Sequence, residues 1–221
     1  MTSSLAIDPS VVVWSVSESA RAQELTTRPL LVLMHGRGSH EHDLFALVPM
    51  LPSQFVIAAL RAPLELGPGS YSWFPDGEPA RPSSAAADVA VQALLDWLDS
   101  VPFAASVSLL GFSQGGAMTL HTLRHAPERF AAFVNLAGFV IGGDAPADDS
   151  LEELRPPVFW GSDPADPVIP AEAIARTAEW LPVHSTLTER HYDGIGHSIS
   201  REELDDACSF LQSTALRSRA L

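Results

Sequence analysis

Short apolar runs alternate along this chain with segments whose apolar residues recur every three or four positions. The runs at 29–36 (PLLVLMHG) and 54–60 (QFVIAAL) are almost uniformly apolar, as strands buried on both faces are. Residues 10–16, 106–111, 130–138 and 156–162 read as further strands, and 184–192 as an alternating one. Helical spacing covers 41–51, 83–101, 114–127, 170–182 and 200–216, with serine cap candidates opening the second segment and a proline closing the third. Residues 61–82 are rich in proline and glycine and read as a long loop, a feature often functional inside a compact domain. Strand then helix, repeated, predicts right-handed crossovers: an α/β fold, one domain over 1–221, with a mostly parallel central sheet and helices on both faces.

Composition narrows the function. The chain of 221 residues carries a formal charge of −14, which repels phosphate backbones and anionic bilayers and argues against nucleic acid and stable membrane association. All 13 basic residues are arginine, so Schiff-base chemistry, pyridoxal phosphate attachment and a phosphate-loop lysine are excluded. The single cysteine, Cys208, allows no internal disulfide and no cysteine cluster, and it reads as a small core residue. No leader-like or 18-residue apolar stretch is visible, so a soluble, cytoplasmic protein is expected.

In a parallel sheet the ligand site lies beyond the carboxyl ends of the strands. Four such ends carry polar or glycine-rich segments: HGRG, GFSQGG, GSDPADP and GIGHS. In GFSQGG, Gly111 and Gly115 flank Ser113 two positions to either side, the spacing a sharp strand-to-helix turn requires if a serine hydroxyl is to be thrust out of the sheet. A serine needs a base to take its proton. His197 is the only histidine in a glycine-hinged loop at the expected sheet end. His121 and His125 fall on a helix and read as structural, His184 and His191 lie at or within a strand, and His40 and His42 sit in a polar loop. A metal reading of that loop, HEHD, fits no standard ligand spacing, so no metal and no cofactor are expected. An acid must orient the base, and Asp163 and Asp166 both follow the 156–162 strand. The order Ser, Asp, His is that of α/β-hydrolases. Oxyanion donors are then expected at the backbone N–H of Gln114, which follows the nucleophile, and of Arg37, after the 29–36 strand.

Taken together, LMHGRGSHEHDL, SYSWF, GFSQGGAMTL, DPVIP and GIGHSIS resemble the phospholipase/carboxylesterase family of small bacterial α/β-hydrolases, which is similar to the acyl-protein thioesterases. The likeness runs from about residue 11 to 212. It implies a sheet without a large cap domain and hydrolysis of carboxylic esters or thioesters. It carries the nucleophile onto Ser113, the acid onto Asp166 before PVIP, the base onto His197, the oxyanion donors onto Arg37 and Gln114, and aromatic pocket residues onto Trp73 and Phe74. Arg37 stands where many relatives have an apolar residue. Beside this, the apolar side chains of the 61–82 loop suit an acyl or aryl group, with packing onto the domain as the alternative. Residues 137–149 read as a second, flexible stretch at the pocket rim, with Phe139 facing in or packing. The expected partner is a small-molecule ester, the expected activity a serine carboxylesterase acting on soluble short- to medium-chain esters, the expected assembly a monomer or homodimer. A thioesterase or acyltransferase with the same residues, or a binder that lost turnover, are the competing readings.

Overall fold

Alternation inside the apolar runs builds the two faces of the sheet. In a computed structural model that describes residues 5–75, 82–102 and 104–214, Leu30, Val32 and Met34 enter one core cluster while Leu31 and Leu33 enter the other. In chain order the elements are β1 (Val13–Trp14), α1 (Glu18–Thr27), β2 (Leu30–Met34), α2 (His42–Phe45), β3 (Val56–Leu60), β4 (Leu64–Gly67), β5 (Ser70–Ser72), α3 (Ser84–Ser100), β6 (Val107–Phe112), α4 (Gln114–Leu123), β7 (Ala132–Leu136), α5 (Asp148–Leu154), β8 (Pro157–Ser162), α6 (Ala171–His184), β9 (Thr186–His191) and α7 (Arg201–Thr214). The main sheet runs β1-β3-β2-β6-β7-β8-β9. Only β1 is antiparallel, to β3; every other neighbouring pair is parallel. Leu25 of α1, Leu94 and Trp97 of α3, and Met118 and Leu120 of α4 cover one face. Leu44 of α2 and Leu204 and Phe210 of α7 cover the other. The expected architecture is therefore the observed one.

Several elements differ from the sequence reading, for local reasons. The 10–16 strand shrinks to the two residues of β1, because Asp8 accepts from the Ser10 N–H at 2.9 Å and Pro9–Val11 turn as a 3-10 helix. The 41–51 helix breaks into the single turn of α2 and a 3-10 turn at Val48–Met50, where Pro49 lacks a donor. The 61–82 loop holds a hairpin, β4–β5, in its described part, and residues 76–81 lie outside the described residues, as do 215–216 of the last helix. The helix read at 170–182 continues through Pro182 to His184, and the Arg155 guanidinium satisfies the carbonyls of Pro182, Val183 and Ser185 at its end. Two helices escaped the pattern. α1 buries only Leu25, too little periodicity to register. α5 begins where the flexible rim expected at 137–149 ends. The Arg124 side chain holds that segment instead, donating to the Ile141 carbonyl at 2.6 Å, the Gly143 carbonyl at 2.5 Å and both oxygens of Asp148 at 2.6 and 2.8 Å.

Candidate active site

The GFSQGG turn explains its own glycines. Ser113 sits between β6 and α4 at φ 55°, ψ −117°, a region L-residues rarely occupy. Its N–H donates to the Leu136 carbonyl at 2.9 Å, and its own carbonyl accepts the first helical bond, from Ala117, also at 2.9 Å. A Cβ on Gly111 would strike the Gly115 carbonyl, and one on Gly115 the Met34 carbonyl, so strand, helix and neighbouring strand nearly touch. Gly116, harder to explain from sequence, faces Asn135 and Gly138 of the next strand and its turn in the same way.

Two more loops converge on this turn. His197 Nε2 lies 2.8 Å from Ser113 Oγ, and Nδ1 lies 2.7 Å from Asp166 Oδ2. The Asp166 side chain is 2% exposed and that of His197 16%, so the chain of bonds is shielded but open at the histidine. Since a carboxylate only accepts, the ring proton belongs on Nδ1, which leaves the Nε2 lone pair aimed at the serine. The other Asp166 oxygen accepts from the N–H groups of Val168 at 2.7 Å and Ile169 at 3.1 Å, which fixes the carboxylate's orientation. Asp163, the other acid read from the sequence, faces elsewhere. It accepts from the Ala165 N–H and, across the loops, from the Gly196 N–H, each at 2.8 Å. Those backbone donors, Ala165 foremost, hold its pKa below the ordinary carboxylate value. It thus ties the histidine loop to the acid loop.

The β2–α2 turn closes on the same point. A Cβ on Gly36 would lie 3.4 Å from Ser113 Cβ, and Arg37 follows it, exposed. His35 holds this turn from beneath, with Nδ1 2.7 Å from the Gly36 carbonyl and Nε2 accepting from the Ala62 N–H at 3.1 Å. Burial lowers its pKa, so the ring stays neutral. Sequence reading passed over His35, whose signal was its place at the end of an apolar run. The HEHD segment does not gather as a ligand set: Glu41 is buried against Arg61, with N···O distances of 2.5 and 2.7 Å, and its pKa falls to about 2, chiefly through that guanidinium.

Gln114 follows the serine at the start of α4, where helix N–H groups lack intrahelical partners. Its side-chain amide is buried and latches the 72–74 strand end: Oε1 accepts from the Trp73 N–H at 2.9 Å, and Nε2 donates to the Phe74 carbonyl at 3.1 Å. Trp73 and Phe74, expected at the pocket, are instead 0% and 3% exposed. The Trp73 indole donates to the His35 carbonyl at 2.8 Å, so these rings pack the loop under the site, the alternative the sequence left open. Phe139 is half-buried and packs, as Ile174 does, against the cluster of Ile169 and Ala173. An open groove lies elsewhere among the described residues. A cavity of about 290 Å³ beside His197 is lined by Asp43, Leu44, Leu47, Phe112, Ser198 and Ile199. The Phe112 ring flanks the imidazole at 5.0 Å between centroids.

Known proteins share this arrangement of chain. A family described as Phospholipase/Carboxylesterase matches residues 17–215. Acyl-protein thioesterase 1 of Kluyveromyces lactis is 32% identical over 117 residues, 51% of each chain. A probable carboxylesterase of Oryza sativa is 31% identical over 110 residues, 49% of this chain and 41% of its own. The matched segment thus spans about half the length of these curated relatives or less. Among solved structures, esterase PE8 superposes with a TM-score of 0.69 at 29% identity, covering 85% of this chain and 93% of that one. A carboxylesterase of Bacillus cereus, 19% identical, shares the fold at a TM-score of 0.74 over 91% of this chain and 93% of its own.

Proposed function

This chain belongs to the phospholipase/carboxylesterase family, and from that premise we propose that it is a serine carboxylesterase working through an acyl-enzyme on Ser113. The family and the names of its relatives support hydrolysis of esters or thioesters as the activity class. One observation carries the finer reading: a single imidazole bridges Ser113 Oγ and Asp166 at 2.8 and 2.7 Å.

Ser113 Oγ attacks the ester carbonyl while His197 Nε2 takes its proton. Asp166 holds Nδ1–H and stabilises the imidazolium. The backbone N–H groups of Gln114 and Arg37 receive the oxyanion, helped by the positive end of α4. His197 returns the proton to the departing alcohol. Water, deprotonated by the same nitrogen, then attacks the acyl-enzyme carbonyl, the acid leaves and Ser113 is restored. No cofactor is needed. The groove beside His197, about 290 Å³, stands at the small end of ligand pockets, and its leucines and Phe112 suit a short- to medium-chain ester.

Replacing Ser113 by Ala tests the reading. The folded variant is expected to lose turnover of p-nitrophenyl esters and labelling by a fluorophosphonate, and retention of most activity in a pure sample would falsify it. The thioesterase reading is favoured by the relatives' names. A panel of matched oxygen and thioesters of graded chain length separates it: faster cleavage of the thioesters overturns the carboxylesterase assignment and leaves Ser113 in place.

A further inference from the structure

We propose that Asp88 on α3, with His121 on α4 and His125 in the turn that follows it, forms a divalent-metal site of the zinc class, independent of the ester chemistry. Their ligating atoms converge within 4.8 Å of one another. His121 and His125 are one helical turn apart, the spacing that puts two imidazoles on one face as chelating pairs require. Both Nε2 atoms point at the same carboxylate oxygen, Asp88 Oδ1, at 2.8 Å from His121 and 3.1 Å from His125.

The hydrogen-bond pattern leaves one place for a cation. His125 Nδ1 faces the His121 carbonyl at 2.9 Å. A carbonyl only accepts, so Nδ1 carries a proton and Nε2 is left to face Asp88 at 3.1 Å, bridged either by a second proton or by a metal. Metal-bound histidines are oriented in this way, by donating their other N–H to a carbonyl. The neighbouring Arg124 is occupied by Asp148 and two carbonyls.

The dimensions fit. With metal–ligand bonds of about 2.0–2.1 Å, ligands at tetrahedral corners stand roughly 3.3 Å apart. The 2.8 and 3.1 Å separations therefore have to open by only about 0.2–0.5 Å. The Asp88 side chain, 47% exposed, can make that adjustment and leaves a path for the ion and for a water as fourth ligand. His121 lies eight residues along α4 from Ser113, about 12 Å by helical rise. A bound ion would pin α3 to the helix that carries the serine without touching substrate.

The test uses the full chain, stripped with EDTA and titrated with zinc chloride. Calorimetry is expected to find one ion per chain. Saturation is expected to raise the melting temperature by on the order of 5 °C. Cobalt in place of zinc is expected to give the visible bands of a tetrahedral site. His125→Gln and Asp88→Asn, both at the accessible side of the cluster, are each expected to weaken binding at least tenfold. Absence of binding overturns the proposal in favour of a plain aspartate–imidazolium pair. Binding that survives in either variant overturns it as well, because the ion then sits on other histidines.

Discussion

Ser113 is one of three non-glycine residues with positive φ among the described residues; Ser113 and Ala137 directly follow a strand, and Arg155 caps α5. Such backbones cost on the order of 1–3 kcal/mol each and persist only where their surroundings hold them. Here the Leu136 carbonyl and the glycine contacts do so. The two aspartates of the acid loop separate at the same scale. Asp166→Asn puts an amide where a carboxylate holds Nδ1–H, so the imidazole turns to the wrong tautomer and kcat is expected to fall on the order of 10⁴-fold. Asp163→Asn keeps an acceptor for backbone N–H groups and is expected to lower kcat only about tenfold. Steady-state rates on one p-nitrophenyl ester check both, and equal losses refute the division of roles. The pairing of Asp166 with His197 was hinted at by its place before PVIP. The side-chain latch of Gln114 carried no signal, because its partners at 72–74 are about forty residues away.

At the scale of elements, α7 carries an unpaired acid into the core. Ser200 accepts from the Glu203 N–H at 3.0 Å, as an N-cap does. The Glu203 side chain does not reach back to complete the capping box. It is fully buried against Gly161 of β8, with neither oxygen hydrogen-bonded. Burial pushes its pKa from 4.5 up to about 7. The folded state therefore binds a proton that the unfolded state releases at lower pH. Stability from this group is fully present below pH 4.5 and is lost as pH rises through about 7. Glu203→Gln, neutral throughout, is expected to gain relative to the parent above pH 7, up to about 3 kcal/mol. Urea midpoints of the two proteins at pH 5 and pH 8.5 measure it. A pH-independent difference refutes the burial argument. The same element shows why some helices were readable and others not. α7 buries Leu204, Ala207, Phe210 and Leu211 at helical spacing, whereas α1 buries one leucine and α5 is held by an arginine from another helix.

The whole molecule adds a field that no single element has. With 27 acidic against 13 basic side chains, its surface is negative at neutral pH. Cationic esters are expected to show a higher kcat/KM than anionic esters of equal acyl chain at low ionic strength. The ratio is expected to fall toward one as salt shortens the Debye length from about 30 Å to about 8 Å. A ratio that ignores salt assigns any preference to the groove and its Asp43 instead. Among the described residues no helix is long and apolar enough to cross a membrane.

By itself the sequence determined the layered α/β order, the sharp turn at Ser113 and the loops that bear Asp166 and His197. These are encoded locally, in apolar periods and in glycine spacing, and local patterns survive without knowledge of neighbours. Only the tertiary structure decided that Trp73 and Phe74 lie beneath the site, that the groove opens between α2, β6 and the histidine loop, and that His121 and His125 share an oxygen with Asp88. Each of those facts depends on which side chains meet across the sheet or between helices. A one-dimensional pattern records that a residue is apolar or ionisable, and packing alone settles what it faces.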